Sequence, residues 1–192
     1  MRWALLSGLL LAPLVVGCGG SGANPSGPAS AGGTLNVMLR DSPFTDAKAL
    51  LVTFSDVSVH SSGGDFVRVP FSGGATTRTC DLKKLSSASD VLGTGALNPG
   101  HYTQIRVTVN KAVLYFSNAS AGLACATSLP TPSGDSADVT IPSGELKLNQ
   151  EFDLSSTSAT TILLDFDGDQ SVKALGNGNY LMSPVITVVS VQ

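Results

Sequence analysis

From residue 34 onward, apolar and polar side chains alternate along most of the chain at the period of two expected of half-buried β-strands. No long stretch repeats at the helical period. Leu35, Val37 and Leu39 alternate with Asn36, Met38 and Arg40 and predict a first strand. Leu50, Val52 and Phe54 share one phase while Val57 and Val59 share the other. That switch near Ser55-Asp56 predicts a bulge or bend within one long strand. Ser61-Ser62-Gly63-Gly64 supplies turn residues before Phe66-Val67-Arg68-Val69, so a hairpin is expected there.

Asp81 to Ala96 is the one place for a short helix, with Leu82, Leu85 and Val91-Leu92 available to cover a core edge. After the turn Asn98-Pro99-Gly100, Ile105, Val107 and Val109 form one face of a clear strand, and Val113 to Phe116 continues it. Ser117 to Asp138 reads as loop, interrupted by Pro130 and Pro132. Leu146, Leu148 and Phe152 form an apolar face, as do Ile162, Leu164 and Phe166, which puts Asp165 and Asp167 on the opposite side. Gly176-Asn177-Gly178-Asn179 is a hairpin signal leading into a strand from Tyr180 to Val191. About seven to nine strands with regular turns predict an all-β fold, an antiparallel β-sandwich of immunoglobulin-like or transthyretin-like type.

The N-terminus has a different character. After Met1-Arg2, the 14 mostly apolar residues Trp3 to Val16 are too few to span a bilayer and end at Gly17-Cys18. This is the pattern of a lipoprotein signal peptide over residues 1–17, with the Cys18 thiol as the site of lipid attachment. Two or three acyl chains anchor a protein stably where one binds marginally. Residues 18–33 supply the lipidated cysteine and a tether, since Gly19 to Gly33 contains only Gly, Ser, Ala, Pro and Asn. Such a chain cannot offset its own ordering entropy and spans roughly 20 Å. Residues 34–192 then form one domain. Gly19, which is not an aspartate, points by resemblance to Gram-negative lipoproteins to the outer membrane of a bacterial cell envelope.

Composition narrows the chemistry. Of 11 basic and 14 acidic residues in the chain, only Arg2 falls within residues 1–17, so cleavage there leaves a net charge of −4. A mildly acidic chain without a basic run has no electrostatic footprint for nucleic acid. Cys80 and Cys125, the two cysteines beyond Cys18, predict a disulfide in an oxidising compartment. The alternatives are two buried thiols or a redox or metal pair. No CxxC occurs, and His60 and His101 fall in no ligand spacing.

Asp165-Phe166-Asp167-Gly168-Asp169 is the one dense run of ligand-type oxygens. Calcium takes six to eight oxygens, and Asp165, Asp167 and Asp169 at alternate positions, completed by Asp41, are the candidate ligands. The run is not an EF-hand loop, and its plainer reading is a strand ending in a solvated acidic turn. No GxSxG, HExxH, P-loop or dinucleotide motif is present, so no catalytic residue is assigned. A carbohydrate-binding module is the alternative. Its usual tryptophan platform is lacking, because Trp3 lies in the signal peptide, which leaves Tyr102, Tyr115 and Tyr180.

Five segments occur in a recognisable order. They are Leu39-Arg40-Asp41-Ser42-Pro43, the strand Leu51 to His60, the stretch Leu97 to Val107 that opens Leu97-Asn98-Pro99-Gly100-His101-Tyr102, Leu164-Asp165-Phe166-Asp167, and Gly178-Asn179-Tyr180-Leu181-Met182-Ser183-Pro184-Val185-Ile186. The chain thereby resembles the bacterial domain-of-unknown-function 4382 family of secreted proteins and lipoproteins. The resemblance covers nearly all of residues 34–190 and implies no activity. It matches Asp41, Asp165 and Asp167, whereas the segment around Cys125 departs from the family's compact hairpin. The expected role is a membrane-anchored binding or structural module with an envelope protein or glycan as partner, or else a calcium-stabilised adhesion-type domain.

Overall fold

The computed structural model describes residues 32–42 and 47–192. The expected signal peptide, the expected lipidation site Cys18 and the expected tether up to residue 31 lie outside the described residues. The described chain forms β1 (Gly33–Ser42), β2 (Ala49–Ser61), β3 (Phe66–Arg68), β4 (Arg78–Asp81), α1 (Leu82–Leu85), β5 (Asp90–Leu97) and β6 (Gly100–Tyr115). There follow β7 (Cys125–Ala126), β8 (Ser136–Thr140), β9 (Glu145–Leu154), β10 (Ala159–Asp167), α2 (Gly168–Ser171), β11 (Val172–Gly176), β12 (Asn179–Met182) and β13 (Ile186–Val191). The protein is an all-β sandwich.

One sheet has four strands in the order β13-β10-β1-β5. The other has nine, in the order β11-β12-β8-β6-β2-β4-β7, with β3 also paired to β2 and β9 to β6. Most neighbours are antiparallel, as the alternating pattern predicts. Two are parallel, β1 with β10 and β12 with β8, so both sheets are mixed.

The alternating faces meet between the sheets. Leu35, Val37 and Leu39 of β1 and Ile162, Leu164 and Phe166 of β10 pack in one core with Leu50, Val52, Phe54, Val57 and Val59 of β2. The rings of Phe54 and Phe166 meet edge to face at 6.3 Å across the interface, a favoured aromatic geometry. The phase switch expected in β2 is real. Between Phe54↔Val109 and Asp56↔Thr108, Ser55 has no opposite residue. On β6, Asn110 is skipped in the same way, between Thr53↔Lys111 and Phe54↔Val109. Both strands therefore change phase side by side. The inward rows Val59–Ile105, Val57–Val107, Phe54–Val109, Val52–Ala112 and Leu50–Leu114 stay matched throughout.

Three expectations are corrected. The helix expected within Asp81 to Ala96 is only the single turn α1, and Val91-Leu92 belongs instead to strand β5, paired with β1. Its two glycines are poor helix formers. A Cβ on Gly95 would lie 2.6 Å from Pro70 Cδ, so the ring of Pro70 packs where a side chain would otherwise project. The strand expected from Tyr180 to Val191 is two strands in different sheets, β12 and β13. Pro184 lies at the break, where it cannot donate to a ladder. Gly33, expected to close the tether, is the buried first residue of β1 and pairs with Leu97.

Cys80 and Cys125 form the expected disulfide, directly opposite one another in the β4–β7 pair. Next to it the fully buried Asp81 accepts hydrogen bonds from Leu50 N at 3.2 Å, Lys83 N at 3.2 Å and Ser120 Oγ at 2.5 Å. Disulfide and carboxylate together hold the segment after β6 against the sheet. A Cys80→Ala/Cys125→Ala variant is expected to lose about 4 kcal/mol, the loop-closure value for a separation of 45 residues. The urea midpoint measures this. A change below about 0.5 kcal/mol would mean that the crosslink does not constrain the chain.

Candidate functional site

The acidic residues singled out in the sequence gather where β1 and β10 end. The two strands run parallel with Arg40 opposite Asp165, Asp41 opposite Phe166 and Ser42 opposite Asp167. The segments are thus neighbours, as a shared site would require. Strand alternation nevertheless sends their side chains to different faces. Asp41 continues the inward row of Leu35, Val37 and Leu39 and is only 4% exposed, whereas Asp165 and Asp167 are half-buried on the other phase.

Each carboxylate has its own environment. Asp165 pairs with the Arg40 guanidinium at 3.1 Å and accepts from the Ser42 hydroxyl at 3.4 Å. Asp167 caps α2, accepting Gln170 N at 2.9 Å and Gln170 Nε2 at 2.6 Å, as an N-cap aspartate should. Asp169 is exposed in the first turn of α2. Among the described residues, no three His, Cys, Asp or Glu side chains gather to hold a metal ion. The four candidate calcium ligands are therefore drawn to one corner but split by face, with three of them committed to the strand core, an ion pair and a helix cap.

Asp41 is the exceptional group. Its Oδ1 accepts Gly168 N at 3.1 Å, and its Oδ2 has no hydrogen-bond partner among the described residues. Burial pushes its pKa up to about 8, and the charges of Asp165 and Asp167 push the same way. The Gly168 N–H, second only to burial, and the more weakly acting Lys83 ammonium pull it down without offsetting this rise. At neutral pH Asp41 is mostly a neutral acid. The sequence singled out this residue but not its protonation; its place in the phase of three inward leucines and valines is the signal that pointed to burial.

The corner also joins the sheets. Ser171 of α2 donates from its hydroxyl to Asp167 O and accepts Val185 N at 2.8 Å, while Ser183 N donates to Ser171 O at 2.9 Å. These bonds hold the crossing from β12 to β13. Beside it, Arg40 lines a cavity of about 410 Å3 with Leu163 and the Leu85–Ser89 stretch, whose serines carried no sequence signal.

The remaining candidates lie elsewhere. Tyr102 is buried, stacked on Phe152 at 5.2 Å, and donates to Asn98 O at 2.7 Å. Its burial also raises its pKa. Tyr115 is buried in a small apolar cluster, and Tyr180 packs on Phe116 at 5.7 Å. The three tyrosines do not form a common platform. His60 bonds Thr103 Oγ1 at 3.1 Å, and His101 meets the exposed Asp153 at 3.0 Å.

Residues 32–184, which hold the parallel β1–β10 pair and all four acidic residues, match the family described as Domain of unknown function (DUF4382). The chain belongs to the DUF4382 family. No curated protein and no solved structure matches it significantly. The DUF4382 match spans β1 to β12 and stops before β13, which completes the small sheet at its edge.

The raised pKa has a definite sign. Between the unfolded value near 4 and the folded value near 8, the native state keeps a proton that the unfolded chain has lost. Stability contributed by neutral Asp41 is complete below that window and is lost as pH rises through it, at up to about 1.4 kcal/mol per pH unit. Asp41→Asn is therefore expected to flatten the fall in melting temperature between pH 5 and pH 9, and to be more stable than wild type at the alkaline end. Parallel curves for the two proteins would refute this.

Proposed function

We propose that this chain is a lipid-anchored cell-envelope domain that works by binding, not by catalysis. The observation that carries the anchor is the position of Cys18, which closes an apolar run of 14 residues and precedes 15 residues of Gly, Ser, Ala, Pro and Asn. A diacylated thiol supplies stable membrane attachment, and the tether gives the domain reach. Gly19 after the cysteine favours the outer membrane as the site of display.

The binding role draws its support from how these side chains are engaged. His60 is engaged by the Thr103 hydroxyl and His101 by the exposed Asp153. The DUF4382 family brings no activity to transfer. A glycan platform finds little support in two buried tyrosines, and a calcium-stabilised role finds little in carboxylates that already have partners. An envelope protein is the partner this reading favours.

Labelling of cells with radioactive palmitate tests the anchor. The wild-type polypeptide is expected to carry label and to sediment with membranes, and Cys18→Ala to lose both properties. An unlabelled wild type, or unchanged fractionation of the variant, would remove the anchor and the role inferred from it.

A further inference from the structure

The segment that follows β6 and carries Cys125 builds a second concavity, on the outer face of the nine-stranded sheet. Register places Lys111, Thr53, Thr79 and Ala126 in one row across β6, β2, β4 and β7. In the neighbouring row Val113 lies opposite Leu51. After β7, held by the Cys80–Cys125 disulfide, the chain arches back over this face and plants Leu129 on Ala49, Leu51, Val113 and Tyr115. That contact is a small apolar core outside the main one. Between it and the Lys111 row a cavity of about 150 Å3 is left.

The walls of this cleft have one sign. Its floor is Leu51 and Val113, and its sides carry the hydroxyls of Thr53, Thr79, Thr127, Ser128 and Thr131. Thr53 and Thr79 bond each other at 2.9 Å, which leaves hydroxyl capacity unspent, since each hydroxyl offers one donor and two acceptor positions. Lys111 is the only charged residue in the lining, and among the described residues its ammonium has no ion-pair partner. Asp138, opposite Val113 on β8, is not part of the lining.

We infer that this cleft binds a small oxyanion, the carboxylate or phosphate group of a compact ligand, held by Lys111 and the hydroxyls of the arch. Size and chemistry both select this class. The volume is below the roughly 300–1,000 Å3 of pockets for drug-sized ligands and cofactors, so it suits one small group. A sugar is a poor fit, because Tyr115 is only 7% exposed and no carboxylate in the lining can accept from sugar hydroxyls. Hydroxyl donors with one ammonium are suited to charge-assisted bonds with an oxyanion. The inference deepens the binding role and rests on it, but makes no use of Cys18. Failure of anion binding and failure of acylation are therefore separate results.

Isothermal titration of the detergent-purified, oxidised full chain with inorganic phosphate, and separately with acetate, at constant ionic strength tests the inference. Saturable binding of at least one anion is expected. Lys111→Met should weaken it about tenfold or more, the equivalent of losing one charged hydrogen bond. Lys111→Arg should largely retain binding, and Lys147→Met, which removes another exposed lysine, should leave it unchanged. Binding of phosphate alone or of acetate alone identifies which group the ligand carries. No saturable binding of either anion, or equal affinity in Lys111→Met, would overturn the inference.

Discussion

The pairing of β1 with β10 organises this protein. It joins residues 33–42 to residues 159–167, side by side and parallel. Parallel neighbours cannot be joined by a tight turn, and the whole chain between them goes into building the larger sheet and one edge of the smaller. Because β1 lies between β10 and β5, the smaller sheet has no continuous middle until both ends of the domain are present. The same register decides the chemistry of the corner. It aligns Asp41 with Phe166 on the buried face and leaves Asp165 beside Arg40 on the open one.

Two buried carboxyl groups show contrasting solutions to the cost of burying a polar side chain. Asp81 replaces its lost water with three donors drawn from β2, α1 and the segment between β6 and β7, and so binds three parts of the chain together. Asp41 receives one donor, from Gly168, and stays neutral instead. The first is a structural fastening. The second carries an uncompensated cost at the junction of the sheets, where α2 and its two serine bonds already hold the crossing to β13.

What the sequence makes legible follows from what alternation encodes. Period two tells which way a side chain faces, and so the inward rows of β1, β2, β6 and β10 and the bulge at Ser55-Asp56 are legible in the sequence. It does not tell which strand lies next to which, so neither parallel pairing was visible. Gly93 and Gly95 hid β5, since residues chosen to let Pro70 pack closely weaken a strand pattern. An apolar run continuing past Pro184 merged β12 with β13, although that proline marked the break. The aspartates stood out by number and alternation gave their faces, while their meeting at one corner depended on a register across 125 residues. The Lys111 cleft left no local trace, because its hydroxyls come from three separate segments.

The position of β1 also bears on how the domain would resist being pulled. Its first residue, Gly33, is where the chain enters the fold, and β1 is bonded along both sides, to β10 and to β5. A load applied at residue 32 along the strand axis meets both ladders in shear, so their bonds must yield together. An edge strand such as β13 would instead peel away one bond at a time. The fold thus places its mechanically strongest kind of attachment at the point where traction from a tether would arrive.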